Sequence, residues 1–313
     1  MNKFIIDGSN VNVFLNKYIS FTERVSTKYN YDVNIKHVLY LIVPAFVLKY
    51  GIDDEKKILN CFENIPIHVS GITDLNTTAY FRRRVLYDND KYYTVKEVVL
   101  NNYDNISLLE LIDNIVHEFN HAVNSIINEV SWDNENVIIR TGISHVYYSK
   151  DDITKFIKKS KDVTLEEIIN TKQTEDIINI INSFNKYKID NNEFSNMLYA
   201  LRHDIGNEEY VSNAYYLQSF ICKELMKNKT FIPTIETLRF KGNVSDISSW
   251  FDSITGIEGS YNRLITLLDD ILCGEQELTK VKWFKKLKLN KLISKGREVL
   301  DIVKLFDNNC IYK

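Results

Sequence analysis

Proline, glycine and an excess of charge of either sign are what this chain has little of. Its 313 residues include three prolines and ten glycines, and 39 Lys and Arg side chains balance 42 Asp and Glu side chains to a net charge of −3. This near-balance gives no general attraction to nucleic acid or to an anionic membrane, so we expect neither as a partner. The scarcity of proline and glycine leaves no Gly/Pro-rich linker that would mark a domain boundary.

Closely spaced cysteines and long apolar runs are also missing. The four cysteines show no C-x-x-C spacing, which argues against a zinc knuckle or a disulfide framework and predicts reduced, buried thiols. The apolar run before Asp7 is too short for a secretory signal, and the longest apolar run, 38–48, falls short of the roughly 20 residues of a membrane span. We therefore expect a cytoplasmic protein without a transmembrane segment.

The composition that remains is typical of a folded protein with a sizeable core. Hydrophobic residues make up 44% of the chain, which argues against disorder. From Phe4 to about Tyr103 the patterns are mainly extended, with one helix at 54–64. One further helix and one extended stretch follow, and beyond about Thr164 the patterns are helical. The strands are expected at 38–43, 65–69, 80–87, 93–100 and 137–143, and the first of these is expected to lead into a helix that begins at Pro44. The later helices are expected at 165–187, 191–204, 208–227, 258–273 and 284–306. The sequence predicts an α+β fold, with a mixed-sheet lobe at 1–163 and a helical lobe at 164–313.

One predicted helix has an unusually clear start. Ser107 and Glu110 have the S-x-x-E spacing of a capping box, which predicts a helix from Ser107 to about Val130. Apolar residues recur along one side of this helix and polar residues along another. The polar stripe consists of Glu110, Asn114, His117, His121, Asn124 and Asn128. Two histidines therefore lie one turn apart on the polar side.

The motif VHEFNH at 116–121 of this helix has the residue types and spacing of a metal-binding site. Imidazoles at i and i+4 can bind one ion at roughly 2.0–2.1 Å, and Zn²⁺ accepts two nitrogens and a carboxylate. Glu118 is offset by about 60° around the helix from His121, beside such an ion but not bound to it, which suits a general base. Because zinc lowers the pKa of its bound water toward roughly 7, Glu118 could take the proton and pass it to a leaving amine. The motif predicts peptide-bond hydrolysis, and a solvated helix face is the alternative.

The third ligand is expected from a carboxylate farther along the chain. The nearest pair is Glu166 and Glu167, in the letters LEE of a predicted helix. Together with the motif, these letters resemble the gluzincin zinc metallopeptidases, particularly the minimal gluzincins, in which the second acidic position of an L-[N/E]-E helix binds the metal. The resemblance implies that His117, His121 and Glu167 bind Zn²⁺. It also implies that Glu118 is the catalytic base.

Other residues compete for the place of the third ligand. Glu166 is adjacent to Glu167, and the spacing alone does not choose between them. Thr164 and Glu167 also have the spacing of a second capping box, a role that needs no metal. The remaining candidates are Glu208, Glu209, His145 and His203. The two glutamates could simply begin a solvated helix, and the two histidines could be ordinary surface or core residues.

The resemblance further implies how a substrate and its transition state would be held. Gluzincin-like enzymes bind substrate as an added strand at the edge of the N-terminal sheet, and the segment YTVKEVVLNNY, 93–103, is the expected edge. A tyrosine or histidine would stabilise the oxyanion. The candidates are Tyr147, Tyr148, His203, Tyr210 and Tyr216.

Two basic clusters remain outside this assignment. The segment 280–297 could meet phosphates or a membrane surface, although a solvated helix face is the more common use of such a run. Arg82 and Arg84 would share one face of a strand near the expected edge, where they could bind a substrate carboxylate or simply be solvated.

The sequence thus predicts a zinc-dependent metallopeptidase acting on a peptide or protein substrate. The competing hypothesis is a non-catalytic protein-interaction module with a structural or vestigial metal site. The two differ in whether the intact protein cleaves peptides.

Overall fold

The computed structural model describes residues 6–71, 77–127, 129–159, 162–206, 208–212, 220–244, 247–280 and 285–310. These residues form a mostly helical protein with two small sheets, which confirms the predicted mixture of helices and strands. The chain divides into two compact units, each made of two segments. The first unit consists of 1–123 and 173–212, and the second of 124–172 and 213–313.

The first unit combines helices with a three-stranded sheet. Its helices are α1 (Val11–Tyr29), α2 (Val33–Tyr50), α3 (Glu55–Asn64), α4 (Leu108–Val123), the later part of α5 (Val163–Ser183) and α6 (Asn192–Ile205). Its strands are β1 (Ile67–Val69), β2 (Ala79–Asp88) and β3 (Lys91–Leu100). The predicted helix at 54–64 and the predicted strands at 65–69, 80–87 and 93–100 are confirmed.

The longest apolar run lies within helix α2, so the predicted strand at 38–43 and the predicted helix start at Pro44 are wrong. The Asp32 carboxylate caps this helix by accepting hydrogen bonds from the backbone N–H groups of Asn34 and Ile35, at 2.8 and 3.0 Å. Residues 38–47 are buried on all sides, and a continuous apolar run does not distinguish a strand from a buried helix. Among the described helices, α2 alone is long and apolar enough to cross a membrane, and 67% of it is buried inside the protein.

The strand order in the first sheet is β1-β3-β2, with β3 parallel to β1 and antiparallel to β2. A two-residue turn joins β2 to β3, and both of its residues, Asn89 and Asp90, have positive φ (48° and 59°), as a tight hairpin turn requires. Within the described residues β3 therefore lies in the centre of the sheet and β2 at its edge. Because β1 pairs with β3 only at 98–100, the prediction that 93–103 forms the edge fails at 98–100, whereas residues 93–97 pair with β2 alone among the described strands.

The second unit contains a four-stranded antiparallel sheet and a group of helices. Its strands, in the order β4-β5-β6-β7, are β4 (Val130–Trp132), β5 (Asn136–Thr141), β6 (Ser144–Ser149) and β7 (Phe156–Lys159). Its helices are the first part of α5, α7 (Phe220–Met226), α8 (Phe231–Lys241), α9 (Ile247–Thr255), α10 (Ser260–Lys280) and α11 (Lys285–Cys310). The strand predicted at 137–143 is confirmed as β5, whereas β4, β6, β7, α8 and α9 were not predicted.

Several sequence predictions have mixed outcomes in the later part of the chain. The helix predicted at 208–227 is found only from Phe220, since 208–212 is not helical and 213–219 lies outside the described residues. Within the basic segment 280–297, residues 281–284 lie outside the described residues and 285–297 belong to α11. All four cysteines are free, but Cys273 is exposed and Cys310 is only partly buried, so the prediction of buried thiols fails at these two positions.

Candidate metal centre

Helix α4, which carries the VHEFNH motif, is capped as the sequence predicts. The backbone N–H of Ser107 donates to Glu110 Oε2 at 3.3 Å, and the backbone N–H of Glu110 donates to Ser107 Oγ at 3.2 Å. The helix ends at Val123, earlier than the predicted end near Val130. The Arg140 guanidinium binds the backbone carbonyl of Asn124, at 2.9 Å, and so satisfies a carbonyl that a longer helix would use itself.

One side of α4 is fixed by aromatic packing. Phe119 is fully buried and stacks on Phe62 of α3, with ring centroids 4.3 Å apart and an interplanar angle of 18°. Phe62 in turn meets Phe46 of α2 edge to face at 5.2 Å. Because this side cannot turn away from its neighbours, the orientation of the opposite stripe with His117 and His121 is fixed as well.

A buried polar network aligns α4 with α5. The Tyr50 hydroxyl lies 2.8 Å from Asn120 Oδ1 and 3.1 Å from Gln173 Oε1, and Asn120 Nδ2 donates to Thr174 Oγ1 at 3.2 Å. Asn120 is the residue before the second histidine of the motif, and Gln173 is on the helix that carries Glu167. Buried polar groups that satisfy one another in this way fix the register between two elements.

His117, His121 and Glu167 form a group that could hold a metal ion. The nearest ligand atoms of the three side chains all lie within 4.8 Å of one another. The imidazole rings of His117 and His121 have centroids 5.1 Å apart and planes at 78°. A tetrahedral ion with bonds of roughly 2.0–2.1 Å separates its ligands by about 3.3 Å, so the donors need to close by only about 1.5 Å at most.

The structure distinguishes the two adjacent acids of the LEE letters. The Glu166 carboxylate accepts the backbone N–H of Ile143 at 2.8 Å and the Arg239 Nε–H at 2.9 Å, and the Arg239 Nη2 also contacts its other oxygen. Both members of this ion pair are fully buried. Glu166 is thus occupied as the counter-ion of Arg239, whereas Glu167 faces the two histidines, which favours Glu167 as the third ligand.

The ion pair between Glu166 and Arg239 requires a glycine at position 142, immediately after β5. Gly142 has φ +56°, and a Cβ placed there would lie 1.9 Å from Glu166 Oε2. Both the backbone conformation and the lack of space exclude a side chain. The buried carboxylate of Glu166 therefore depends on a residue that motif reading did not single out.

The other proposed roles for these residues do not match the structure. Helix α5 already begins at Val163, and the Thr164 hydroxyl donates to the Asp269 carboxylate, so Thr164 and Glu167 do not form a capping box. The remaining rival ligands lie outside the cluster that the described residues form with His117 and His121. Glu208, Glu209 and His203 are exposed, and His145 pairs with Arg140 across two strands. Burial lowers the pKa of His145.

Tyr210 is the candidate oxyanion donor that contacts α4. Its hydroxyl donates to Asp113 Oδ1 at 2.9 Å, and its backbone exchanges two hydrogen bonds with the Asn179 side chain of α5, at 2.8 and 3.1 Å. The other tyrosines on β6 have different neighbours, since Tyr147 lies under Lys158 and Tyr148 meets Phe156. Tyr216 lies outside the described residues.

Asp113 is a site residue that the sequence reading missed. It precedes His117 by four residues, so that the two side chains are neighbours on α4. Burial raises the pKa of the Asp113 carboxyl, while the field of His117 and the hydrogen bond from Tyr210 lower it. A carboxylate that accepts the second ring N–H of a ligating histidine orients that ring. The signal was present in the sequence as the i, i+4 spacing of an acid and a histidine.

Removing the charge of Asp113 is expected to weaken metal binding. In an Asp113→Asn variant we expect the dissociation constant for zinc to rise about 10- to 100-fold, because the negative charge that neighbours His117 is lost. Competition with a chromophoric chelator measures the constant, and the visible spectrum of the Co²⁺ form reports the ligand geometry. The exposed substitution Asp301→Asn serves as the control. Unchanged affinity in Asp113→Asn would show that Asp113 has no part in positioning His117.

The arrangement can hold one divalent cation through three side chains, next to a glutamate that is 8% exposed. Three protein donors, two nitrogens and one oxygen, are the number that a catalytic zinc site takes from its protein. The chain matches no protein-family model, no curated protein and no solved structure, so its function is argued from this geometry.

Proposed function

We propose that the protein is a zinc-dependent metallopeptidase of the gluzincin kind. The observation that carries the proposal is the convergence of His117, His121 and Glu167 within 4.8 Å, with Glu118 on the same helix as the two histidines. Two imidazoles and one carboxylate are a donor set that suits Zn²⁺. The proposal keeps the predicted division of labour, in which residues 1–163 supply the sheet, the motif helix and the base, and residues 164–313 supply the third ligand.

Each residue has a defined part in the reaction. His117, His121 and Glu167 would hold the zinc, which when bound would lower the pKa of a water molecule and polarise the carbonyl of the scissile peptide bond. Glu118 takes the proton as the water attacks and delivers it to the nitrogen of the departing amine. Asp113 orients His117, and Tyr210 holds Asp113 in place through its hydroxyl group.

The edge of the first sheet is the proposed place for the substrate backbone. The hydroxyl of Thr78, just before β2, donates to Asn114 Oδ1 at 3.0 Å, and Asn114 lies one turn before His117 on the same stripe. The start of β2 therefore lies beside the motif helix. A peptide that extends the sheet along β2 gains backbone hydrogen bonds and passes this helix.

Metal binding by the predicted ligands tests the proposal. The purified protein is expected to bind one equivalent of zinc, which a His117→Ala variant no longer retains and a Glu167→Gln variant binds at least about 10-fold more weakly. Isothermal titration and metal analysis after dialysis measure both quantities. The exposed substitution Glu208→Gln is the matched control, because the sequence alone made Glu208 a rival ligand.

Peptide cleavage distinguishes the proposal from its competitor. Cleavage of a mixed peptide library by the zinc-loaded chain, lost on chelation and restored by zinc, supports the metallopeptidase. One equivalent of tightly bound zinc without cleavage of any peptide would instead support a protein-interaction module with a structural metal.

A further inference from the structure

The face of the first sheet that carries Arg82 has more positively charged than negatively charged side chains. Arg82 Nε lies 2.6 Å from Glu97 Oε1, Arg84 Nη2 lies 3.7 Å from the same oxygen, and His68 Nε2 lies 3.2 Å from Oε2. Glu97 is buried, whereas the side chains of Arg82, Arg84 and His68 are 46%, 66% and 58% exposed. We call these four residues the Arg82 cluster.

Strand register places all of the Arg82 cluster on one face. Arg82 pairs with Glu97 across β2 and β3, Arg84 pairs with Val95, and His68 pairs with Val99. Side chains alternate between the two faces of a strand, so residues 82 and 84 of β2 and residues 95, 97 and 99 of β3 point the same way. Arg83 lies on the opposite face, where its guanidinium is 5.7 Å from the Phe81 ring.

The charges in the Arg82 cluster do not cancel. Glu97 supplies one negative charge against two guanidinium groups, which leaves an excess of one positive charge even with His68 neutral. The hydrogen bond from Arg82 to Glu97 uses the Nε–H, one of the five N–H donors of a guanidinium. Arg84 is too far from Glu97 for a hydrogen bond at 3.7 Å. Both guanidinium groups therefore have donors that can bind a further carboxylate.

The position of the cluster on the edge strand determines what can reach it. A peptide added alongside β2 would place every second side chain on the Arg82 face, with successive ones about 6.6 Å apart. Arg82 and Arg84 have that same spacing because they are also alternate residues of a strand. We propose that the substrate is an extended acidic peptide that docks along β2, with carboxylates at alternate positions bound by Arg82 and Arg84. The proposal rests on the proposed function for its cleavage step, while the docking step stands on the sheet alone.

Binding and cleavage are measured separately so that the two proposals can fail independently. A fluorescein-labelled decapeptide with glutamates at alternate positions is compared with the same peptide carrying glutamines, using the full-length Glu118→Gln variant and anisotropy. We expect about 10-fold tighter binding of the acidic peptide at low salt. The difference should shrink as the ionic strength is raised from about 0.05 to about 0.5 M, because exposed charges are screened.

Three arginine variants locate the binding face. Arg84→Gln is the decisive one, because Arg84 is the most exposed of the cluster and its loss does not remove the closest partner of Glu97. It is expected to remove most of the preference for the acidic peptide. Arg82→Gln should do the same, with the thermal unfolding midpoint measured in parallel because this change weakens the pairing of a buried carboxylate. Arg83→Gln, on the opposite face of the same strand, is expected to keep the full preference.

The outcomes separate the two proposals. Equal binding of the acidic and neutral peptides, or loss of the preference in Arg83→Gln but not in Arg84→Gln, would overturn acidic-peptide recognition. Cleavage of both peptides by the intact enzyme with equal kcat/KM would leave the metallopeptidase standing and overturn this proposal. Preferential binding of the acidic peptide without cleavage by the zinc-loaded chain would support the docking step and contradict the hydrolytic function.

Discussion

Replacing Glu118 with glutamine is expected to lower kcat for peptide cleavage by about 10³-fold or more while the protein keeps its zinc. An amide cannot accept the proton of the attacking water, and the loss of a positioned general base costs typically 10²- to 10⁴-fold. Zinc stays bound because the cluster of donor atoms consists of His117, His121 and Glu167 and does not include Glu118. Steady-state kinetics and metal analysis of the same preparation measure the two effects.

A matched control and two contrary outcomes make this test specific. Glu209→Gln removes an exposed carboxylate outside the cluster and should leave kcat unchanged. Retained cleavage in Glu118→Gln would mean that another group is the base. Loss of zinc together with activity would mean that Glu118 binds the metal or stabilises the helix. It would then not be identified as the general base.

The second large effect concerns stability. An Arg239→Met variant is expected to lose about 3–5 kcal/mol of unfolding free energy, because it leaves the buried Glu166 carboxylate without its counter-ion. Asn170, whose Oδ1 accepts a hydrogen bond from Arg239 Nη2 at 2.7 Å, would lose its partner as well. Urea denaturation followed by circular dichroism measures the loss.

The control for this prediction is an ion pair of similar geometry on the surface. Arg263 binds Glu298 through two hydrogen bonds, at 2.6 and 2.9 Å, with both side chains well exposed. We expect Arg263→Met to leave the denaturation midpoint nearly unchanged, since solvent already screens this pair. Equal losses in the two variants would contradict the view that burial makes the Arg239 pair costly to break.

A double substitution links stability to the metal centre. Arg239→Met combined with Glu166→Met replaces a buried ion pair by apolar groups, an exchange that is often neutral or stabilising, and should recover most of the lost stability. Because Glu167 and not Glu166 faces the histidines, the folded double variant is expected to bind zinc with nearly unchanged affinity. A folded double variant without zinc affinity would identify Glu166 as the ligand.

Helix α4 shows which structural features can be predicted from local sequence patterns. Its capping box and the polar stripe with His117 and His121 depend on residues three or four positions apart, and the structure has both as predicted. The run at 38–43 is a case in which local patterns do not predict the secondary structure. Its residues are apolar without alternation, so the helix α2 that includes them was fixed by its cap at Asp32 and by burial on every side.

The sequence by itself determined the two histidines and their glutamate, since one helical turn sets their relative positions whatever surrounds them. Only the tertiary structure decided which of two adjacent acids approaches them. Neighbouring residues of a helix point about 100° apart, and the Glu166 carboxylate binds Arg239, 73 residues away in sequence. The edge position of β2 was likewise decided by the pairing of β1 with β3, a long-range contact that no local pattern encodes.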